Sequence, residues 1–534
     1  MRKRKTGLHE CAEQGNSSGK PATMNWNSAW IRLVIAFVAA AVSVRVLYND
    51  VWASSTDLGL HYAMTRRIME LGAPPVVPDV SLGSMNGYPS LSHRIAAGVG
   101  EIMGSAFAGM QLTATMALAL IWVSMGMFFG KVGGRLLPAM FISAPLALLV
   151  NRYALHLEVV GIEVVGNYFY PQVVAQAVAL GALALALHLD EAGASPKVRN
   201  LVLGGLAPVI AEMHPLPALE ILLVLILRSA WDLIQLPRSS RWRESAFGIM
   251  TAIVSATLIV TSSSFQVVRQ VSENDGGISL RYTTEPWQLV VESAIVLALA
   301  LVLLDRARPR GDTGFRPKQT AHVYWAFLGM GSAALCVLQF LLLQFGFASP
   351  YAVKKYVFIL NTVLLLDLPL LVTSLWAMHG NESAGSSAPI GSALRTIFPA
   401  IFVLACLFTF WPAATERTAS VEEILPIERF ALEHRAQTPG GNAGRYDYAL
   451  GLLRDFRSLD FMISIGALRA PETKTVEDLT YGRPVSSPRR IGRIFTRQGS
   501  APWDVPGCRQ LAIDDGFAIL NGKCVLEAIQ LPVR

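Results

Sequence analysis

The residues with the greatest chemical potential lie between Ser55 and Ala97, in STDLGLHYAMTRRIMELGAPPVVPDVSLGSMNGYPSLSHRIAA. Asp57 and His61 are four apart and share a face if this stretch is helical. A carboxylate there can take a proton from an acceptor hydroxyl, and an imidazole one turn on can orient it, contact substrate or share a metal ion with it. Alternatively, Asp57 only caps a helix that starts at Leu58. Beyond a Pro/Gly-rich turn, Tyr88, Pro89 and His93 either form a second polar wall or simply open another helix at Pro89. Arg66, Arg67 and Arg94 either bind phosphate or snorkel to lipid headgroups. Asp50, Asp79 and Glu158 are reserve carboxylates.

Other polar groups punctuate an apolar chain. HLEVVGIEVVGNYFYPQ carries Glu158, Glu163, Asn167, Tyr168, Tyr170 and Gln172. Aromatics mixed with amides suit sugar recognition, and aromatics also belong at membrane interfaces. His214-Pro215 marks a tight turn beside Glu212. Lys354 and Lys355, in SPYAVKKYVF, and Arg281, in GGISLRYTTEPW, either neutralise a lipid phosphate or anchor the chain at the interface. Asp367 lies inside an apolar run, where a lone charge costs about 2.5–3.5 kcal/mol, so it must face a partner or a cavity.

These groups are carried by a chain whose solvent is the bilayer. Of 534 residues, 52% are hydrophobic and only 16% charged, against about 25% charged in soluble domains. The net charge of +7 fits basic cytoplasmic loops and excludes a nucleic-acid reading. A basic, polar segment at 1–24 is expected to be disordered and cytoplasmic, and either Met1 or Met24 is the true start. Apolar runs then predict about 11 transmembrane helices, at Ala29–Tyr48, Ala106–Phe129, Leu136–Leu149, Val173–Leu189, Leu201–Met213, Leu216–Ile234, Ala246–Ser262, Leu289–Leu304, Val323–Phe345, Tyr356–Met378 and Ile397–Trp411. Lys131, Arg135, Lys197, Arg199, Arg238, Arg241, Arg243 and Arg395 fall on one side of this arrangement, and Asp57, Asp79, Glu158, Glu163 and Glu285 on the other. By the positive-inside rule the acidic loops, including the first at 49–105, lie outside the cytoplasm.

The tail at 413–534 is polar and of different composition, and reads as a small extracytoplasmic α+β domain. Helices are expected at Pro426–Ala436 and Tyr446–Phe456. Strands are expected in FMISIGAL, RRIGRIFT, QLAIDDGFAIL and KCVLEAIQL. Cys508 and Cys524 are placed to form a disulfide if the tail is outside. AGSSAP, at 384–389, reads as a flexible cytoplasmic loop. There is no internal repeat, P-loop, GxGxxG or HExxH.

TDLGLHY followed by GYPSLSH in a large loop after the first span, about 11 spans over residues 25–412, and an outer C-terminal domain together resemble the GT-C superfamily of membrane glycosyltransferases. Protein mannosyltransferases and arabinofuranosyltransferases belong to it. Weaker echoes are NYFYPQ, the MHP turn and YAVKKY. The chain shows TDLGLH in place of the adjacent acid pair of protein mannosyltransferases, and the tail is not covered. The resemblance implies a GT-C-like fold in a bacterial inner membrane and a polyprenyl-phosphate sugar as donor. It also implies an extracytoplasmic glycan, lipid or protein acceptor and an inverting outcome. Asp57 would be the general base, with Lys354, Lys355 and Arg281 as cations for the leaving phosphate. Tyr88, His93, Glu158, Tyr170 and His214 are further substrate-binding candidates. Some members use a divalent metal, for which Asp57 and His61 are candidate ligands, though the sequence does not require one. The alternatives are a transporter or flippase for a lipid-linked glycan, using Asp367, Glu292 or Glu220, and a non-catalytic scaffold.

Overall fold

The computed structural model describes residues 26–52, 56–132, 136–272, 278, 280–307, 320–379, 388–410, 418–436, 445–454, 456–471, 473–483, 490–512 and 516–529. The N-terminal segment at 1–24 and most of AGSSAP, 384–387, lie outside them. A backbone in hydrocarbon must satisfy its own polar groups, so the apolar runs become helices. α1 (Trp26–Leu47) leads through a short strand, β1 (Asp50–Val51), into α2 (Thr56–Leu71) and α3 (Leu91–Met103). α4 (Ala106–Phe129) and α5 (Leu136–Val150) precede a π-helical turn at Asn151–Leu155 and the short α6 (Ile162–Gly166). There follow α7 (Tyr170–Glu191), α8 (Pro196–Ala211), α9 (Pro215–Gln235), α10 (Arg241–Val260) and α11 (Ser263–Ser272). The bundle closes with α12 (Pro286–Ala307), α13 (Thr320–Gln344), α14 (Pro350–Lys354), α15 (Val357–His379) and α16 (Ala388–Phe410).

Every expected span falls on a helix. Among the described residues, 8 helices are long and apolar enough to cross a membrane, and Ala393–Thr409 is a shorter apolar stretch. The run before Asn151, short in the sequence, is lengthened by the π-helical turn to a 20-residue candidate span, Leu136–Leu155. The bundle core is close-packed and aromatic, with the Phe129 and Trp325 rings 4.7 Å apart.

The two ends of the bundle differ in chemistry. At one end, Arg199 and Arg228 each pair with both Asp190 and Asp232, and the Tyr324 hydroxyl donates to Asp190 at 2.8 Å. Two acids and two arginines thus neutralise each other out of water, the condition under which buried charges are tolerated. At the other end the acidic loops converge. The Leu91 N–H donates to the Glu212 carbonyl at 3.0 Å, the Tyr170 hydroxyl to the Ser92 carbonyl at 2.5 Å, and the Arg281 N–H to Glu158 Oε1 at 2.6 Å.

The tail sits on that second end. It comprises β2 (Ala419–Ser420), α17 (Val421–His434), β3 (Tyr446–Ala449), α18 (Arg457–Met462) and a π-helical turn at Ile463–Ala467. α19 (Thr473–Thr480), β4 (Ile491–Arg497), β5 (Arg509–Ala512), β6 (Phe517–Asn521) and α20 (Gly522–Ile529) complete it. The sheet order is β3-β4-β6-β5, with β3 parallel to β4 and the other pairs antiparallel. An α+β tail is therefore present, but several of its elements differ from expectation. Tyr446–Phe456 holds a strand where a helix is expected. FMISIGAL forms α18 and the π-helical turn, and KCVLEAIQL contributes α20. These apolar runs are too short for periodicity to separate a strand from a buried helix. α17 begins earlier than Pro426, because Ser420 and Glu423 form a capping box. Cys508 and Cys524 are disulfide-bonded, with Cα atoms 5.6 Å apart.

The tail is joined to the first loop by a strand pair and by a cluster of charges, among other contacts. β1 pairs with β2, Asp50 opposite Ser420 and Val51 opposite Ala419. Glu70 of α2 accepts from four arginines: Arg66 (3.0 Å), Arg67 (2.7 Å), Arg435 (2.7 Å) and Arg469 (2.5 Å). Arg67 also pairs with Asp79 at 2.7 Å and donates to Ser81. Arg66 and Arg67 thus serve neither phosphate nor headgroups, and Asp79 is no reserve base, because all three are committed to holding the loop. Arg94 is exposed and donates to Ser90.

Burial alone would raise the Glu70 pKa, but the hydrogen bonds and charges of Arg435, Arg67 and Arg469 outweigh it and hold the carboxyl at about 2. A folded value below the ordinary one of about 4.3 makes the stabilisation complete above that pH. It is lost as pH falls towards about 2. Glu70→Gln should leave the arginines short of their partner and destabilise the protein by about 3 kcal/mol. Thermal unfolding in detergent at neutral pH measures the loss, and the gap between variant and wild type should close in acid.

Candidate active site

Asp57 lies in the first turn of α2. The helix begins one residue before it, so Asp57 is a helical residue where the cap reading needed it outside. The four-residue spacing works as expected: Asp57, Leu60 and His61 all line one cavity at the loop-bearing end of the bundle. The cavity takes in about 470 Å³, part of it open to solvent. Its other walls are Met85 and Tyr88 from the turn before α3, and Phe169, Pro171 and Gln172 around the start of α7. His214, Tyr351 and Lys355 complete it.

Lys355 supplies the cation. It follows the last residue of the short α14, in the break before α15. Its Nζ stands 4.8 Å from the Phe169 ring and 4.7 Å from the Tyr351 ring, two cation–π contacts that aim the ammonium. Tyr351 precedes Lys355 by one helical turn, which is why both reach the same wall. Burial raises the Asp57 pKa, and the Lys355 charge pulls in the opposite direction. The net effect is a carboxyl that ionises above its ordinary range.

Behind this wall the histidines form a second layer. His61 Nδ1 lies 3.1 Å from His93 Nε2. His93 also hydrogen-bonds the Pro89 carbonyl, one turn back. A carbonyl only accepts, so His93 donates there. Between two neutral imidazoles one nitrogen donates and the other accepts, so His61 and His93 share a single N–H···N hydrogen bond. Burial keeps His93 neutral, lowering its pKa to about 4. Burial, then His93, Lys355 and His214, lower that of His61 well below the ordinary value. Tyr170 packs against both rings, with centroids 6.1 Å from His61 and 5.6 Å from His93.

His214 is the N-cap of α9, its Nδ1 accepting from the Leu216 N–H at 3.3 Å. The tight turn at His214-Pro215 therefore delivers an imidazole to the cavity.

Of the residues singled out in the sequence, Asp57, His61, Tyr88, His214 and Lys355 meet in the cavity. His93 and Tyr170 stand one layer behind. Lys354 does not line the cavity. Glu158 and Arg281 do not line it either: they bind each other at the surface of the bundle end, where Arg281 lies over the Tyr282 ring at 5.3 Å. The cavity also uses Leu60, Met85, Phe169, Pro171 and Tyr351, which sequence reasoning missed, and Gln172, noted there only as one amide of its loop. The signal for Tyr351 was its four-residue offset from Lys355.

Asp57 and His61, the two candidate metal ligands, both line the cavity, with the Lys355 ammonium beside them. Among the described residues no group of three or more His, Cys, Asp or Glu is placed to hold a metal.

His93→Leu should leave His61 Nδ1 against an apolar side chain and cost about 1–3 kcal/mol. Thermal unfolding of the detergent-solubilised variant measures it.

No family model and no curated protein matches the chain. Among solved structures, ArnT from Cupriavidus metallidurans bound to undecaprenyl phosphate is similar at a TM-score of 0.46 and 13% identity. The match covers 94% of this chain and 98% of that one. The oligosaccharyltransferase AglB from Archaeoglobus fulgidus, in complex with an inhibitory peptide and a dolichol-phosphate, is similar at a TM-score of 0.40 and 11% identity, covering 88% of this chain and 70% of that one.

Proposed function

We propose that the protein is a membrane glycosyltransferase that moves a sugar from a polyprenyl-phosphate donor to a hydroxyl of an extracytoplasmic acceptor. The observation that carries this reading is one cavity, at the loop-bearing end of an apolar bundle, with a raised-pKa carboxyl and an aimed ammonium in its walls. Glycosyl transfer from a lipid phosphate can use both, the carboxyl as a base and the ammonium to meet the charge on the leaving phosphate. Asp57 takes the proton of the acceptor hydroxyl as its oxygen attacks the anomeric carbon. The bond from that carbon to the phosphate oxygen breaks, and the phosphate leaves with the electron pair. Lys355 offsets the charge that develops on it. One displacement inverts the anomeric centre. Neutral His61 and His214, with Gln172 and Tyr88, offer hydrogen bonds to sugar hydroxyls without competing for the phosphate.

Asp367, on which a transport reading rests, is buried in α15 and does not line the cavity.

Radiolabelled sugar should pass from polyprenyl-phosphate donors in membranes carrying the wild type, and Asp57→Asn should lower the rate by about 100-fold or more. Properly inserted wild-type protein that transfers nothing from a broad donor and acceptor panel would overturn the proposal. Retained transfer in Asp57→Asn would move the base elsewhere. The base must be ionised, so kcat/KM should rise with pH through the Asp57 pKa. That limb should lie above the ordinary carboxyl value of about 3.9, the direction set by burial. A pH–rate profile flat down to that value would contradict the assignment.

A further inference from the structure

α2 has two buried sides, and the mechanism uses one. Asp57, Leu60 and His61 face the cavity. Tyr62 faces the tail, buried, with its hydroxyl donating to Glu428 Oε1 of α17 at 2.9 Å. The other oxygen of Glu428 accepts from Ser105, the N-cap of α4. The carboxylate also accepts from the backbone of Phe107 in the first turn of that helix. A single tail carboxylate thus bridges the site-bearing helix to the start of a candidate span, where a helix favours negative charge.

Two glycines show how closely the surfaces fit. A Cβ on Gly59 would stand 2.6 Å from the Phe461 ring, and one on Gly466 would stand 2.4 Å from the Tyr62 ring. One glycine belongs to α2 and the other to the tail, so each surface has given up a side chain to admit an aromatic ring of the other. Gly59 lies between Asp57 and His61 in the chain, and a displacement there moves both cavity residues.

We infer that the tail is a positioning element for the reaction, with Glu428 as its positioning residue. It holds α2 so that Asp57 stays opposite Lys355. This rests on the transferase reading for its consequence, but the tie itself is readable without any activity.

The test pairs hydrogen–deuterium exchange with transfer kinetics on the full-length protein in nanodiscs, for wild type, Glu428→Ala, Glu428→Gln, Tyr62→Phe and Gly466→Val. The inference requires α2 amides to exchange faster in Glu428→Ala, Tyr62→Phe and Gly466→Val, while exchange in α7, α13 and α15 stays at the wild-type level. It requires kcat to fall by about tenfold to a hundredfold in Glu428→Ala, with KM for the donor within about twofold. Glu428→Gln, whose amide oxygen still accepts from Ser105 and whose NH2 meets the Tyr62 oxygen, should restore most of the rate. Unchanged α2 exchange in both Glu428→Ala and Tyr62→Phe overturns the tie whatever the activity. Faster exchange with unaltered kcat in a transferring enzyme overturns the positioning role. A wild type that transfers nothing defeats the transferase reading, and α2 exchange still decides the tie. A variant that fails to insert is replaced by Tyr62→Phe, which removes one hydroxyl and no packing.

Discussion

The structure depends on one constraint: a polar helix outside the apolar bundle has to lose water on two sides at once. α2 carries Asp57, His61, Arg66, Arg67 and Glu70, a set that would leave it solvated if it stood alone. Its cavity side is organised by shape, with His61 seated on His93 and boxed by Tyr88 and Tyr170. Its tail side is organised by charge, with Glu70 at the centre of four guanidinium groups. Either surface alone would bury titratable groups without partners, which costs more than burial returns. Together they hold a carboxyl and an imidazole in a half-enclosed space.

The electrostatics follow from that arrangement. Within the α2 region, carboxyls met by arginines are pushed down, as at Glu70 and Asp79, whereas Asp57, which faces a cavity, is pushed up. The same residue type is therefore structural or reactive according to what stands opposite it. The histidines behave consistently: burial keeps His61 and His93 uncharged, so Lys355 meets no competing cation from them.

The bundle was largely legible in the sequence. α4 occupies Ala106–Phe129, the bounds expected from hydropathy alone, because one continuous apolar run sets its length and Ser105, just before it, caps its start. The reactive pair was legible for a similarly local reason, since Asp57 and His61 need only a helix to share a face. What could not be read were partners supplied from far along the chain. Arg67 looked like a free cation because Asp79 and Ser81 have to fold back onto it. Glu70 and Arg435 are 365 residues apart. Of two adjacent lysines, only the aromatic walls decide that Lys355 and not Lys354 enters the cavity. In the tail, FMISIGAL has a strand's composition, but it is wrapped on all sides and adopts the helix that fits against Tyr62.

The Tyr62–Glu428 hydrogen bond spans 366 positions. Ribosomal synthesis delivers α2 long before α17, so the site-bearing helix must wait through the insertion of the rest of the bundle before its second surface arrives. Contacts of such sequence separation form late and slowly. Until then Asp57 and His61 sit on a segment held from one side. The cavity is thus finished only when the last part of the chain has packed against α2, and a truncated copy would carry every cavity-lining residue without being assembled around them.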